Sequence, residues 1–95
     1  MTYNDVTESA PVVLVEFYAT WCPHCRHMMP VVDQLKKLVG DSVPVIQLDI
    51  DENEESANDA QVNSVPTFIV YRDGRETWRH SGEIDGQALL AHLQK

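Results

Sequence analysis

The chain has 95 residues, 43% of them hydrophobic, two cysteines and a formal net charge of -8. That length buries one core but not two, so a single domain over 1–95 is expected, with no repeat, low-complexity tract or linker. The charge, with no Lys or Arg between Val39 and Tyr71, argues against nucleic acid or an anionic membrane as partner, and no apolar run approaches membrane-spanning length.

Residues 1–10 read as a short N-terminal segment without an element of its own. They have neither the basic n-region nor the apolar h-region of an export signal, which points to a soluble cytoplasmic protein, or to a periplasmic or other extracytoplasmic one if a signal has been removed. Residues 11–18 are a β-branched and aromatic run of strand length. Over 23–39, Met28, Val31, Val32, Leu35, Leu38 and Val39 recur at helical spacing, Pro30 is expected to kink the helix, and Gly40-Asp41 ends it. A strand follows at 43–49, then a short helix at 53–61 and strands at 66–71 and 75–80 joined by the hairpin signal Asp73-Gly74. The last helix, 84–94, turns Ile84, Leu89, Leu90 and Leu93 toward the sheet. The order is βαβαββα, an α/β pattern in which right-handed crossovers predict three parallel strands and the hairpin adds one antiparallel strand.

Both cysteines lie in Trp21-Cys22-Pro23-His24-Cys25, where the first strand gives way to the first helix. Residues three apart on a helical turn have Cα atoms roughly 5 to 6 Å apart, a separation that a disulfide bridges with little rearrangement. Cys22 falls at or near the N-cap, Pro23 suits the first helical position, and the free amides of His24 and Cys25 point back at the Cys22 sulfur. Those amides and the positive helix end favour a thiolate there, and a protonated His24 adds to the effect. Helix geometry leaves Cys22 partly exposed at the end and Cys25 shielded, so Cys22 is expected to be the attacking sulfur and Cys25, one turn inside, the resolving one.

A structural staple is a weaker reading, because a disulfide closing so short a loop restrains the unfolded chain by only about 2 kcal/mol. Zinc on Cys22, Cys25, His24 and His27 competes as well, but there is no second cysteine pair, and the two histidines sit near opposite limits of what one turn aims at a single point. No metal is expected. Asp49, Asp51, Glu52, Glu54, Glu55 and Asp59 read as a solvated loop and helix start, and the EF-hand glycine is missing. His27, His80 and His92 are separated and share no evident partner. Trp78, Met28 and Met29 read as packing or rim, whereas Trp21 is expected to be exposed beside Cys22 and to help dock substrate. Glu16 interrupts Val13-Leu14-Val15 and Phe17-Tyr18 in a strand covered on both faces, so it is expected to be a buried carboxyl with a raised pKa. The alternative is a solvated edge.

The segment from Val15 to Cys25, followed by Pro30, resembles the active-site region of the thioredoxin family. Leu48-Asp49-Ile50-Asp51, Ser64-Val65-Pro66-Thr67, Tyr71-Arg72-Asp73-Gly74-Arg75 and Gly82 follow in family order over about 11–95. The resemblance implies a minimal thioredoxin fold, a four-stranded mixed sheet with helices on both faces, lacking the strand and helix that begin a full member. It also implies a cis Val65-Pro66 bond. Three departures stand out. Pro23-His24 is similar to the pair in periplasmic dithiol oxidases, where thioredoxins usually have Gly-Pro. Glu16 stands where most members have a buried Asp. Gln47 stands where many have a Lys that interacts with it.

The resulting expectation is a thiol-disulfide oxidoreductase working through Cys22 and Cys25, most simply by thioredoxin-like reduction of protein disulfides. Pro23 and His24 would tune the pair, Glu16 would pass a proton to or from Cys25 through water, and Trp21, Val65, Pro66, Thr67 and Gly82 would receive an extended substrate segment. No cofactor is expected beyond the reversible disulfide. The expected partners are protein disulfides or dithiols and a redox protein that resets the site, with the chain acting as a monomer. The alternatives are a dithiol oxidant or disulfide isomerase outside the cytoplasm, and a binding module without enzymatic activity.

Overall fold

The structure is a computed structural model that describes residues 2–94. Its elements are α1 (Tyr3–Thr7), β1 (Val12–Tyr18), α2 (Pro23–Val39), β2 (Val45–Asp49), α3 (Glu54–Asp59), β3 (Thr67–Arg72), β4 (Arg75–Ser81) and α4 (Gly86–Gln94). The sheet runs β2-β1-β3-β4, so β1 and β3 are the interior strands, and each carries five consecutive buried residues.

Period-two alternation divides the core into two layers. Val13, Val15 and Phe17 of β1, with Ile69 and Tyr71 of β3, face Tyr3 of α1 and Ala57 of α3. Leu14, Phe68 and Val70 face the other way, onto Met28, Val32 and Leu35 of α2 and Leu89 and Leu93 of α4. The helices thus cover both faces, as expected. Although Pro30 cannot offer an N–H to the Arg26 carbonyl, α2 continues through it to Gly40, whose φ of 57° lies in the left-handed region. Asp73 and Gly74 both have positive φ, 52° and 80°, which gives the two-residue hairpin turn that the Asp-Gly pair signals.

Two expectations are corrected. The N-terminal segment contains a helix, α1, closed by a capping box in which Thr2 Oγ1 accepts from the Asp5 N–H and the Asp5 carboxylate accepts from the Thr2 N–H. The signal was present as Thr2-x-x-Asp5, and Tyr3 anchors the helix by a hydroxyl contact of 2.6 Å with Tyr71. The first three strands are also not all parallel. β1 and β2 are parallel, but β3 is antiparallel to β1. α2, at 17 residues, is about 25 Å long and carries the chain back along the sheet, whereas α3, at six residues, covers only about 9 Å. β2 therefore ends at Asp49 beside Tyr18, and β3 begins at Thr67 beside Phe17, at the same end of the sheet.

Candidate active site

The site gathers at that end, where the N-terminus of α2 meets the loop before β3. Cys22 is the N-cap of α2, with extended φ and ψ of -89° and 115°, and Pro23 occupies the first turn. The Cys25 N–H donates to Cys22 Sγ at 3.2 Å, and the Cys22 thiol donates to the Val65 carbonyl at 3.7 Å. Both cysteines carry free thiols. The Val65-Pro66 bond is cis, as the resemblance implies.

Burial differs from the sequence reading in one respect. Helix geometry alone leaves Cys22 partly exposed, yet both cysteines are only 3% exposed, packed with Ala19 and against Tyr18, Ile50 and Val65. What separates them is the space each borders. Cys22 lines an open groove of about 650 Å³ together with Trp21, Pro23, His24, Asp51 and Val65. Cys25 lines a second cavity, of about 440 Å³, with Glu16, Asp33 and Gln47. Burial first, and the hydrogen bond with Cys22 second, push the Cys25 thiol up to about 12.

Glu16 is 2% exposed and lies on the α2 face of β1, because it shares the parity of Leu14. It is directly paired in register with Gln47 of β2, so the two side chains leave the sheet on one side. Gln47 Nε2 donates to Glu16 Oε1 at 2.9 Å, and Lys36 Nζ donates to Gln47 Oε1. Burial raises the Glu16 pKa, opposed by the Gln47 hydrogen bond and then by the Lys36 charge. The solvated-edge alternative is excluded. Lys36 escaped sequence reading because its approach depends on how α2 lies across β2.

Trp21 is 60% exposed on the groove rim, and its indole N–H donates to Asp51 Oδ2 at 2.9 Å. The acidic stretch is thus not uniformly solvated. Asp49 is buried and accepts the Asp51 N–H at 2.8 Å, holding the turn that carries Asp51 to the indole. Pro66 is buried and Val65 half-buried; the Gly82 N–H donates to the Pro66 carbonyl at 2.8 Å, with Gly82 at a φ of 99° that suits glycine. Thr67 departs from its expected place. It is 1% exposed and its hydroxyl donates to the Ser64 carbonyl at 2.7 Å, so its side chain braces the loop from behind and does not reach the groove.

The histidines also depart from expectation. His24 Nδ1 lies 2.6 Å and His27 Nδ1 3.0 Å from the same oxygen of Glu83, Oε2. These contacts hold the exposed Glu83 carboxyl below the ordinary glutamate range. One helical turn does aim both rings at a single point, because residues three apart lie on one face and the turn after β4 supplies that point. His80 and His92 share a partner too, each ring stacking on Trp78.

No helix among the described residues is long and apolar enough to cross a membrane. The family model Thioredoxin matches residues 2–95. The chain is 41% identical over 92 residues to a thioredoxin of Mycolicibacterium smegmatis, covering 95% of this chain and 82% of that one. It is 32% identical over 94 residues to the chloroplastic thioredoxin Y of Oryza sativa subsp. japonica, covering 98% of this chain but only 56% of that longer protein. Among solved structures, a mutant thioredoxin from Halobacterium salinarum NRC-1 superposes with a TM-score of 0.85 at 35% identity, over 96% of this chain and 79% of that one. With two thiols three positions apart at a helix N-cap, one bordering an open groove and the other a cavity with a buried carboxyl, the chain belongs to the thioredoxin family of thiol-disulfide oxidoreductases.

Proposed function

We propose that this protein reduces disulfides in protein substrates, with Cys22 as nucleophile, Cys25 as resolving thiol and Glu16 as the group that takes the Cys25 proton. The observation that carries this reading is the separation of the two sulfurs into different spaces, an open groove for Cys22 and the Glu16 cavity for Cys25. The Cys22 thiolate attacks a substrate disulfide in the groove, forming a mixed disulfide and expelling one substrate thiolate. Cys25 then loses its proton through water in its cavity to Glu16, attacks Cys22 Sγ, and releases the second substrate thiol while the Cys22–Cys25 disulfide forms. Two electrons pass to the substrate, and a redox partner restores the dithiol. Trp21, Val65, Pro66 and Gly82 border or support the surface that an extended substrate strand would meet; Thr67 serves by bracing that loop. The work fits a reducing compartment such as the cytoplasm, with the chain acting as a monomer.

The test is reduction of insulin in the presence of dithiothreitol: wild type accelerates precipitation of the B chain and Cys22→Ser does not. Equal rates for the two would remove the assignment. Labelling supplies a second check. At mildly acidic pH an alkylating agent should react first with Cys22, because burial keeps Cys25 protonated; first labelling of Cys25 would reverse the roles.

Direction of transfer rests on His24. Any group that stabilises the Cys22 thiolate stabilises only the reduced form, and so makes the disulfide a stronger oxidant. His24 acts this way when protonated, but its ring is turned to Glu83, whose negative charge offsets it. That pairing favours reduction over the dithiol-oxidant alternative. Replacing His24 with Pro should lower the reduction potential by on the order of 30 mV, measured by equilibration with glutathione. A potential that stays put or rises would show that His24 does not tune the pair.

A further inference from the structure

Outside the thiol pair, the densest set of ligand atoms among the described residues is one ring nitrogen each of His24 and His27 and a Glu83 carboxylate oxygen, all within 4.8 Å of one another. Both imidazoles converge on the same Oε2 atom, at 2.6 and 3.0 Å. An ion pair needs only one such contact. Three electron-pair donors around a common point also describe the ligand set of a divalent metal.

We propose that His24, His27 and Glu83 form a surface site for a borderline d-block cation, zinc(II) foremost, with water completing the coordination. Zinc takes imidazole nitrogen and carboxylate oxygen at about 2.0 to 2.2 Å, and sites with two histidines, one glutamate and an open fourth position are an established class. Tetrahedral bonds of that length set ligand atoms about 3.4 Å apart, so the present contacts need side-chain shifts of only about an ångström. The elements that present the ligands are fixed. His24 and His27 stand on one face of the first turns of α2, and the turn carrying Glu83 is anchored by two neighbours. His80 Nε2 lies 3.1 Å from the Glu83 carbonyl, and the Gly82 N–H is bonded to the Pro66 carbonyl. The positive end of α2 opposes a cation here. The Glu83 carboxylate counters it locally, and the net charge of -8 does so over the whole surface.

The ligands are exposed, so the ion keeps water and exchanges freely, unlike a buried structural zinc. Binding requires imidazole nitrogens free of protons, so affinity must weaken in acid. This site is distinct from a thiolate site on Cys22 and Cys25, and it does not depend on the direction of disulfide exchange.

The experiment is calorimetric titration of Zn2+ into the oxidised protein, in which the disulfide removes the thiols from competition. Cobalt(II) absorption serves as a second readout of coordination. One equivalent should bind, the His24 and His27 ring resonances should shift together, and both His27→Ala and Glu83→Gln should weaken affinity by at least about 10-fold. Circular dichroism confirms that the variants are folded, and His27→Gln replaces His27→Ala if it is not. His27→Ala should leave insulin reduction unchanged without metal. Absence of binding, loss in only one variant, or undiminished affinity in both, with the ion held by other histidines, would overturn the site.

Discussion

Replacing Cys25 with Ser is expected to stop the reaction halfway. Cys22 keeps its groove, so attack on a substrate disulfide proceeds, but nothing remains to expel the product. Turnover in the insulin assay should fall on the order of 10³-fold or more, as when one member of a catalytic pair is removed. The variant should accumulate a mixed disulfide through Cys22, visible as a covalent adduct on a non-reducing gel and released by dithiothreitol. If no adduct forms with a substrate that wild type reduces, Cys22 is not the nucleophile. The effect should be sharp, because Cys25 attacks the mixed disulfide from within the molecule, from its own cavity behind the substrate groove, whereas an outside thiol must arrive by collision and resolves it far more slowly.

Replacing Glu16 with Gln should slow the step that Cys25 performs. A thiol pushed up to about 12 by burial does not ionise unaided at neutral pH, and Glu16 borders the same cavity, which has room for water. Loss of a positioned base costs on the order of 10²-fold. Resolution of the mixed disulfide near pH 7 should therefore fall by about that factor and lose its dependence on a carboxyl, while formation of the mixed disulfide is spared. Stability should move the other way. Burial raises the Glu16 pKa above its unfolded value, so wild type is penalised as pH rises from the ordinary glutamate range, about 4.3, through the folded pKa. The full penalty persists above that window. Gln removes it and still accepts the Gln47 N–H, so the variant should be the more stable at pH 7, with the advantage vanishing in acid. Unchanged resolution kinetics with a flat stability difference would leave Glu16 a passive core residue.

Much of the protein was legible in the sequence because it rests on local rules. The bounds of α2 follow from Cys22, Pro23 and Gly40 at its ends and from apolar spacing between them. The hairpin follows from Asp73-Gly74, the thiol pair from its spacing and its place after a strand, and the burial of Glu16 from the apolar run on either side of it. The short helix α1 had its own local signal in Thr2 and Asp5; its brevity hid it, since five residues contribute little periodicity.

The remainder was decided by contacts between residues far apart in the chain. Antiparallel β3 came from α3 being too short to return the chain along the sheet. Register set Gln47 beside Glu16, and the lie of α2 over β2 brought Lys36 to Gln47. Glu83 meets His24 and His27 from 59 and 56 positions away, and Asp51 meets Trp21 from 30. Helical and strand spacing fix which residues share a face, and that is what the sequence by itself determined: the elements, the sulfur pair and the buried acid. Which side chain from another element arrives at that face depends on how helices pack on the sheet and where loops end. Those are properties of the whole chain, so only the tertiary structure decided the Cys25 cavity, the bracing role of Thr67 and the convergence of two histidines on one carboxylate.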